Sequence, residues 1–376
     1  MRSTGLKALL ATSTLLLALL LGAAARGEEM LRIAVAQVKT KIDISGPGLK
    51  VVDPAAGERV AEGSPLLLAP STRGILVNGE LVGATRLVVE GQSVLRVRDL
   101  SVEREVEVVR DERGGSPRLL IIHAVPMETY VAATVSKEVP TSWPEEALKV
   151  QAVASRSFAV YRKFHAPDRP YHMEAGVIDQ VYGGAKVHPR ARDATRATFG
   201  EVLTYQRRPI KAYFHSCCAG HTESAREGWG QNLAYLPGVK CAYDQACPAQ
   251  RFAARVPLKD VVKALRRARL KVKRIDALKI TKRTKSGRVA KLVFETDGGR
   301  VDLSGEDLRR LVGYGVIKSR HFDAHIAGGV LVVEGRGSGH GVGLCQWGAA
   351  GMAKKGKRYQ QILKHYYPRT KIMRMY

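Results

Sequence analysis

The chain has 376 residues, of which 45% are hydrophobic and 26% are charged. At about 100–200 residues per domain, this length predicts two or three folded domains with full cores and excludes a mainly disordered protein. The formal charge of +26 favours polyanionic partners. Nucleic acid is not the expected one, because aromatic residues make up only 6% of the chain and the sequence has no recognisable nucleic-acid-binding motif.

Residues 1–25 have the pattern of a secretory signal peptide. Arg2 and Lys7 give a basic start, residues 9–21 form an apolar run, and small residues at 22–25 provide a cleavage site. An uncleaved anchor is the alternative, although the run is shorter than a membrane span needs. We therefore expect export to the periplasm, cell wall or extracellular space, with no transmembrane span in the mature chain.

The next segment predicts strands. Apolar residues alternate at 31–36 and again at 102–108, and residues 118–122 form a further apolar run. Asn78-Gly79 between apolar runs predicts a hairpin. We expect a small N-terminal β-rich region over 29–100, followed by a catalytic domain over 101–376.

Helical patterns begin near Met127 and continue, broken at Pro140, to about Lys163. Pro144 suits the first position of a helix, and Glu145 suits the first turn. A second hairpin is predicted in which residues 201–205 pair with residues 211–215 around a turn at 207–209. An insertion subdomain is predicted over 250–328, and a final helix near 346–355. The expected fold class is α+β: a mixed, β-rich catalytic domain with a long helix behind the catalytic turn, plus the small N-terminal β domain.

Glu138 is the candidate catalytic acid. It is the only acid of the Lys137-Glu138-Val139-Pro140 turn, which Pro140 and Pro144 stiffen. A general acid must keep its proton until the leaving group needs it, which requires burial or a shaped cleft. The alternative is an ordinary solvated glutamate near a helix end.

The chain has five cysteines, which are Cys217, Cys218, Cys241, Cys247 and Cys345. Export makes disulfides plausible, and the first four allow three pairings that the sequence does not distinguish. His215, Cys218 and His221 could instead bind zinc, and a Cys–His nucleophile is a third interpretation. The sequence leaves these alternatives open, and we assign no metal and no cofactor to the chain.

A glycine occupies every second position from 335 to 343, and this loop carries His340. Such a density of glycine lets a ligand or another backbone approach closely. The loop lacks the features of a phosphate-binding or dinucleotide-binding motif. It predicts a ligand-facing segment, with a merely flexible loop as the alternative.

Together these motifs resemble the SpoIID/LytB family, the stage II sporulation protein D and amidase-enhancer group. The matching runs, in family order, are VPMETY (125–130), KEVP (137–140), SWPEEALKVQAVA (142–154), DQVY (179–182), FHSCCAGHT (214–222), GHGVG (339–343) and HYYP (365–368). The ordered set is far more specific than any single run.

The resemblance implies a peptidoglycan lytic transglycosylase that cleaves between MurNAc and GlcNAc. The family's essential glutamate falls on Glu138, which would protonate the glycosidic oxygen and then take a proton from the 6-hydroxyl of the same sugar. That hydroxyl closes a 1,6-anhydro ring, so the second carboxylate of ordinary glycosidases is not needed. Asp179, Glu128 and Glu223 are candidate helpers.

The remaining expectations concern the surroundings of Glu138. We expect these residues to bind substrate: Lys149, Gln151, Arg156, Ser157, Gln180, Tyr182, His215, Ser216, His340 and Gln346. Expected partners are peptidoglycan glycan strands, with an amidase or an envelope complex left open. Some family members resemble zinc proteins, with His and Cys ligands in the loop before the Gln180-Val181-Tyr182 run. This chain has Asp179 where the last of those cysteines would be and no cysteine in that loop, so the resemblance does not imply that zinc site here. The alternative functions are a non-catalytic wall-binding enhancer of an N-acetylmuramoyl-L-alanine amidase and a zinc-dependent hydrolase.

Overall fold

The protein was analysed as a computed structural model that describes residues 29–176 and 179–376. The predicted signal peptide lies outside the described residues. Helices and several sheets together confirm the predicted strand-rich α+β class. Within the described ranges, we find no helix that combines the length and the apolar character of a membrane span.

The N-terminal part is one large sheet of eleven strands. Its strands are β1 (Met30–Val38), β2 (Ile42–Ser45), β3 (Lys50–Asp53), β4 (Glu58–Glu62), β5 (Leu66–Ser71), β6 (Gly74–Val77), β7 (Glu80–Val82), β8 (Arg86–Val97), β9 (Leu100–Asp111), β10 (Arg118–Pro126) and β11 (Met173–Glu174). The main order is β11-β1-β10-β9-β8-β2-β5-β6-β7, and β3 joins β8 to β4. The boundary predicted at residue 100 falls at the turn of the β8–β9 hairpin, and the sheet continues to Pro126.

Local sequence explains the hairpin between β6 and β7. Strands β6 and β7 pair through Val77 and Glu80, so Asn78 and Gly79 form the two-residue turn. Both turn residues have positive φ, at 52° and 93°. That backbone suits glycine and asparagine, and it is the reason that Asn-Gly predicts the turn.

Eight helices are described. They are α1 (Met127–Glu138), α2 (Glu145–Phe164), α3 (Pro189–Ala197), α4 (Ala225–Trp229), α5 (Leu258–Arg267), α6 (Gly305–Val312), α7 (Gln346–Lys354) and α8 (Tyr359–Tyr366). Helix α2 is the predicted long helix, and its alanines pack in two cores shared with the neighbouring helices.

The remaining strands form four small sheets. They are β12 (Glu201–Tyr205), β13 (Arg208–Pro209), β14 (Phe214–His215), β15 (Phe252–Pro257), β16 (Ile275–Arg283), β17 (Val289–Thr296), β18 (Gly299–Leu303), β19 (Phe322–Ala327), β20 (Val330–Gly335), β21 (Leu344–Cys345) and β22 (Lys371–Arg374). Strand β12 pairs with β13 and β22, β14 with β21, β15 and β19 with β20, and β16 and β18 with β17.

The second predicted hairpin forms only in part. Thr204 and Tyr205 pair with the two residues of β13, which ends at Pro209, a residue with no N–H to extend the ladder. The chain then leaves this sheet, and β14 pairs in parallel with β21. This correction matters because β14 carries His215 beside the glycine-rich loop.

The predicted insertion contains β15 to β20 with α5 and α6. It has its own hydrophobic core, which includes Val261, Leu265, Phe294, Leu308 and Val333. Strand β20 extends this unit to residue 335, beyond the predicted limit of 328.

A buried ion pair joins α1 to α2. Arg156 donates from Nε and Nη2 to the two carboxylate oxygens of Glu128, at 2.7 and 2.6 Å. Its guanidinium also donates to the carbonyls of Thr195 and Glu201. The Arg156 side chain is fully buried, so this one group fixes α1, α2, α3 and β12 relative to one another.

We predict that Arg156→Ala destabilises the fold by about 3–5 kcal/mol, because it leaves the Glu128 carboxylate without its buried partner. The control is Arg59→Ala, whose partner Glu62 is exposed, and its cost should be about 0–1 kcal/mol. Urea unfolding followed by circular dichroism measures both. Equal midpoints for the two variants would contradict the structural role of Arg156.

Candidate active site

Glu138 is the last residue of α1. The helix ends there because Val139 precedes Pro140 and takes an extended backbone, with φ −136° and ψ 150°. The next helix begins at Glu145, directly after Pro144. Two prolines therefore stop one helix and start the next, and Glu138 is left at the edge of a cleft.

The cleft beside Glu138 has a volume of about 800 Å³. Its lining comes from α1, α2, the loop before Tyr182, the segment around β14, α4 and the glycine-rich loop. The lining residues are Glu138, Phe158, Arg162, Asp179, Gln180, Val181, Lys211, Tyr213, Phe214, His215, Ser216, Trp229, Gln231, Gly339, His340 and Gln346.

The Glu138 carboxyl group is held by a backbone donor. Its Oε1 accepts the N–H of Val181 at 2.8 Å. Burial raises the pKa of Glu138 above its usual value, and the bonds from Val181 and from the Gln346 amide offset part of that rise. The group thus keeps its proton to a higher pH than a solvated glutamate, as a general acid requires.

Two glutamines support the turn from behind. Nε2 of Gln346 donates to Oε1 of Gln151 at 3.2 Å and lies 3.5 Å from the backbone carbonyl oxygen of Glu138. Gln151 in turn donates to Ser155 one helical turn along α2. Gln151 is buried outside the cleft lining, so it positions Gln346 and does not face the cleft.

Two neutral histidines, His215 and His340, line the same cleft, with ring centroids 5.5 Å apart. Burial lowers the pKa of His215 well below its usual value and that of His340 to about 3. Nδ1 of His215 must carry the proton, because it contacts the carbonyl oxygen of Val342 at 3.1 Å. Its Nε2 is then an acceptor, and it has no hydrogen-bond partner among the residues that the structure describes.

Aromatic rings line the cleft next to these histidines. Trp229 is 36% exposed, and its ring lies 4.3 Å from that of Tyr213 and 5.0 Å from that of His340. Nζ of Lys211 lies 4.9 Å from the centre of the Tyr213 ring, and burial lowers the pKa of this lysine. The wall therefore combines exposed ring faces with a cation.

The other candidate acids are engaged elsewhere. Asp179 lines the cleft, but its Oδ2 binds Arg162 at 3.1 Å and the backbone N–H of Glu174. Glu128 is paired with Arg156, and Glu223 accepts from Ser286 outside the lining. Glu138 is thus the only carboxyl group of the described lining that has no salt bridge.

The structure brings Glu138 together with five of the ten predicted substrate-binding residues. These five are Gln180, His215, Ser216, His340 and Gln346. Gln180 accepts from the buried Tyr130 hydroxyl at 2.8 Å, which anchors the loop that carries Val181. Of the other five, Gln151 acts through Gln346.

The last four lie away from the cleft, which corrects the expectation that they bind substrate. Lys149 pairs with two glutamates of its own helix, and Arg156 binds Glu128. Ser157 donates to the Val153 carbonyl and accepts the N–H of Leu203. Tyr182 stacks on Tyr130, and its hydroxyl contacts Nδ1 of His123.

Sequence reasoning did not select Phe158, Arg162, Lys211, Tyr213, Trp229 or Gln231. Helical spacing could have indicated two of these residues. Phe158 lies seven residues after Gln151, and Arg162 lies four after Phe158, so all three share one face of α2. Lys149 and Arg156 are also seven apart, but they follow a different face. Trp229 carried no local signal beyond its residue type.

All five cysteines are buried free thiols. The disulfides that export makes plausible are therefore not formed in this structure. His215 and His221 do not converge with Cys218, and Nδ1 of His221 contacts the Thr222 carbonyl instead. The zinc set built on these two histidines is thus not supported.

Comparison with known proteins gives two family matches. Residues 116–205 match SpoIID, described as Stage II sporulation protein, and residues 248–343 match a domain of unknown function, DUF8618.

Among curated relatives, an uncharacterized protein of Brachyspira hyodysenteriae is 30% identical over 307 residues, which cover 76% of this chain and 82% of the relative. Stage II sporulation protein D of Bacillus subtilis is 32% identical over 276 residues, covering 67% of this chain and 75% of that protein. The amidase enhancer of Bacillus subtilis is 27% identical over 284 residues, covering 63% of this chain and 39% of that protein.

The matched segment begins just before β10 and includes β10, α1, α2 and the Val181 loop, so it contains Glu138. Together with the relatives, it shows that this chain belongs to the SpoIID family. The resemblance drawn from the motifs is confirmed.

We predict that Glu138→Gln stabilises the protein at neutral pH. The raised pKa means that the carboxyl group favours folding below about 4.5, its usual pKa, and loses this contribution as the pH rises through the folded-state value. Glutamine does not titrate, so the gain in melting temperature should grow between about pH 4 and pH 7. Thermal melts at both pH values measure this. Glu145→Gln on exposed helix surface is the control, and a pH-independent difference for Glu138→Gln would contradict the burial argument.

Proposed function

We propose that this protein is an exported peptidoglycan lytic transglycosylase that uses Glu138 as its single acid and base. Its family supports a function related to sporulation or the cell wall. One observation carries the finer proposal: a half-buried carboxyl group with a raised pKa, bound by a backbone N–H, lines a cleft of about 800 Å³.

The proposed reaction moves two protons through one carboxyl group. Protonated Glu138 gives its proton to the glycosidic oxygen as the bond to the MurNAc anomeric carbon breaks, and positive charge develops on that sugar. The carboxylate then accepts the proton of the 6-hydroxyl of the same sugar. The freed oxygen forms a bond to the anomeric carbon, which gives a 1,6-anhydro end and consumes no water.

The surroundings of Glu138 support a single-carboxyl mechanism. Ordinary glycosidases use a second carboxylate as nucleophile or base. Within the described lining, the other carboxyl group belongs to Asp179, which is bound to Arg162. An internal hydroxyl nucleophile removes the need for a second free acid.

The aromatic and basic residues of the cleft lining support a glycan as the substrate. The exposed face of Trp229 offers an apolar surface to a sugar ring. Arg162 and Lys211 add positive charge to the lining, and the chain as a whole carries +26. This charge favours the anionic strands of the wall.

Glu138→Gln should lower the rate of 1,6-anhydro product formation by at least about 10²-fold, because general acid–base catalysis contributes about 10²–10⁴-fold. Glycan strands digested with each variant and analysed by mass spectrometry give the measurement. Glu145→Gln is the matched control and should match the native enzyme. Unchanged product spectra for Glu138→Gln, or products with hydrolysed reducing ends, would overturn the assignment.

Trp229→Ala should weaken the apparent affinity for glycan about tenfold, the effect of losing about 1.4 kcal/mol of contact. Phe164→Ala removes an exposed ring outside the cleft lining and serves as the control. Dependence of the rate on glycan concentration separates the two. If both variants keep the native KM, Trp229 does not face the substrate.

A second candidate function is non-catalytic enhancement of a wall amidase, which the match to the amidase enhancer favours. The two candidates differ in their need for Glu138. Stimulation of an amidase that survives Glu138→Gln, together with no anhydro product from the native protein, would favour this alternative.

A further inference from the structure

Three thiols and one carboxylate converge behind the cleft. Cys218, Cys241, Cys345 and Asp244 each offer one ligand atom, and these four atoms all lie within 4.8 Å of one another. All four residues are buried. They come from three separate segments of the chain, since Cys218 follows β14, Cys345 ends β21, and the other two belong to the loop between α4 and β15.

We propose that these four residues form a structural zinc site. Tetrahedral zinc with Zn–S bonds of about 2.3 Å places its ligand atoms about 3.8 Å apart, close to the spacing seen here. Oδ2 of Asp244 lies 3.3 Å from Sγ of Cys218 and 3.9 Å from Sγ of Cys345. Thiolates favour zinc over hard cations, and four protein ligands leave no open position for catalysis.

The second observation concerns charge. Asp244 is 2% exposed and forms no salt bridge in the described part of the chain. A buried carboxylate without a cation is costly. A divalent cation at the convergence point supplies the missing charge. Arg288 is also buried nearby, but its Nη2 donates to the Cys218 carbonyl and not to Asp244.

Hydrogen bonds already hold the ligand atoms in place. Sγ of Cys345 accepts the N–H groups of Cys218 and Gly348, each at 3.3 Å. Oδ2 of Asp244 accepts the N–H of Ala219 at 2.7 Å. Bonds of this kind orient the ligands of metal sites and stabilise thiolate charge.

Gly348 leaves space for the thiol of Cys241 and the hydroxyl of Tyr366. A Cβ atom at Gly348 would lie 2.6 Å from Sγ of Cys241 and 2.1 Å from the Tyr366 hydroxyl oxygen. That hydroxyl contacts the same sulfur at 3.1 Å. Any larger residue at 348 would push the first turn of α7 away from the thiols.

The other two cysteines lie outside the group of four. Sγ of Cys217 contacts Oδ2 of Asp244 at 3.5 Å, and Sγ of Cys247 accepts the N–H of Ala249 at 3.3 Å. A disulfide between these two cysteines would leave all four proposed ligands free. A disulfide within the cluster would instead use two of its three thiols and leave the third buried alone.

The proposed zinc site would hold in place two strands, β14 and β21, that carry or adjoin residues of the cleft lining. His215 of β14 pairs with Cys345 of β21, and Gln346 follows Cys345 directly. The metal would therefore fix the spacing between the His215 wall and the Gln346 amide behind Glu138. This is a positioning role, since none of the four ligands lines the cleft.

The test is metal analysis of the purified full chain after dialysis against metal-free buffer. We expect one zinc ion per chain in the native protein and in Cys247→Ser, the control. Cys241→Ser and Asp244→Asn should retain at most a small fraction. Cobalt replacement should give thiolate-to-cobalt absorption bands in the native protein that weaken in Cys241→Ser.

Two results would overturn the proposal. One is native protein with no bound zinc and no cobalt–thiolate absorption. The other is a disulfide that joins any two of Cys218, Cys241 and Cys345 in non-reducing peptide maps. If Cys241→Ser does not fold, the zinc content of the near-isosteric Asp244→Asn and the cobalt spectrum of the native protein still test the site. Neither readout depends on glycan cleavage, so the zinc proposal and the proposed enzymatic function fail separately.

Discussion

The ion pair between Arg156 and Glu128 is the constraint on which the catalytic region depends. It lies in the interior, where a charge without its partner would cost several kcal/mol, so α1 and α2 have one strongly preferred alignment. The Tyr376 hydroxyl also donates to Glu128, which brings the last residue of the chain to the same point. The position of Glu138 at the other end of α1 follows from this alignment.

The two glutamates at the ends of α1 differ in their partners. Glu128 at the start forms a salt bridge with Arg156, and Glu138 at the end forms none within the described residues. Glu128 accepts from two guanidinium nitrogens, whereas Glu138 has only the uncharged donors of Val181 and Gln346 and lines the open cleft. The same helix thus contains one carboxylate that stabilises the fold and one whose charged form burial disfavours.

Local features of the sequence predicted much of this arrangement. Pro140 and Pro144 predicted the break between α1 and α2, and Asn78-Gly79 predicted its hairpin, because each acts on its own backbone. Non-local pairings were not predictable in this way. Nothing near Phe214 indicates that it pairs with Leu344, and the wrong hairpin partner was inferred from sequence proximity. The convergence of Cys345 with Cys218 likewise depends on a contact between residues 127 positions apart.

That 127-residue separation has a consequence for how the cleft is assembled. The insertion subdomain lies inside this interval, and the pairing of its strands β15 and β20 brings Phe252 next to Gly335. Once it has folded on its own core, residues 216–251 and 336–343 connect it to β14 and β21. Each halving of an effective loop lowers the entropy cost of closing it by about 0.6 kcal/mol. If the subdomain folds first, it therefore lowers the entropy cost of bringing β14 and β21 together.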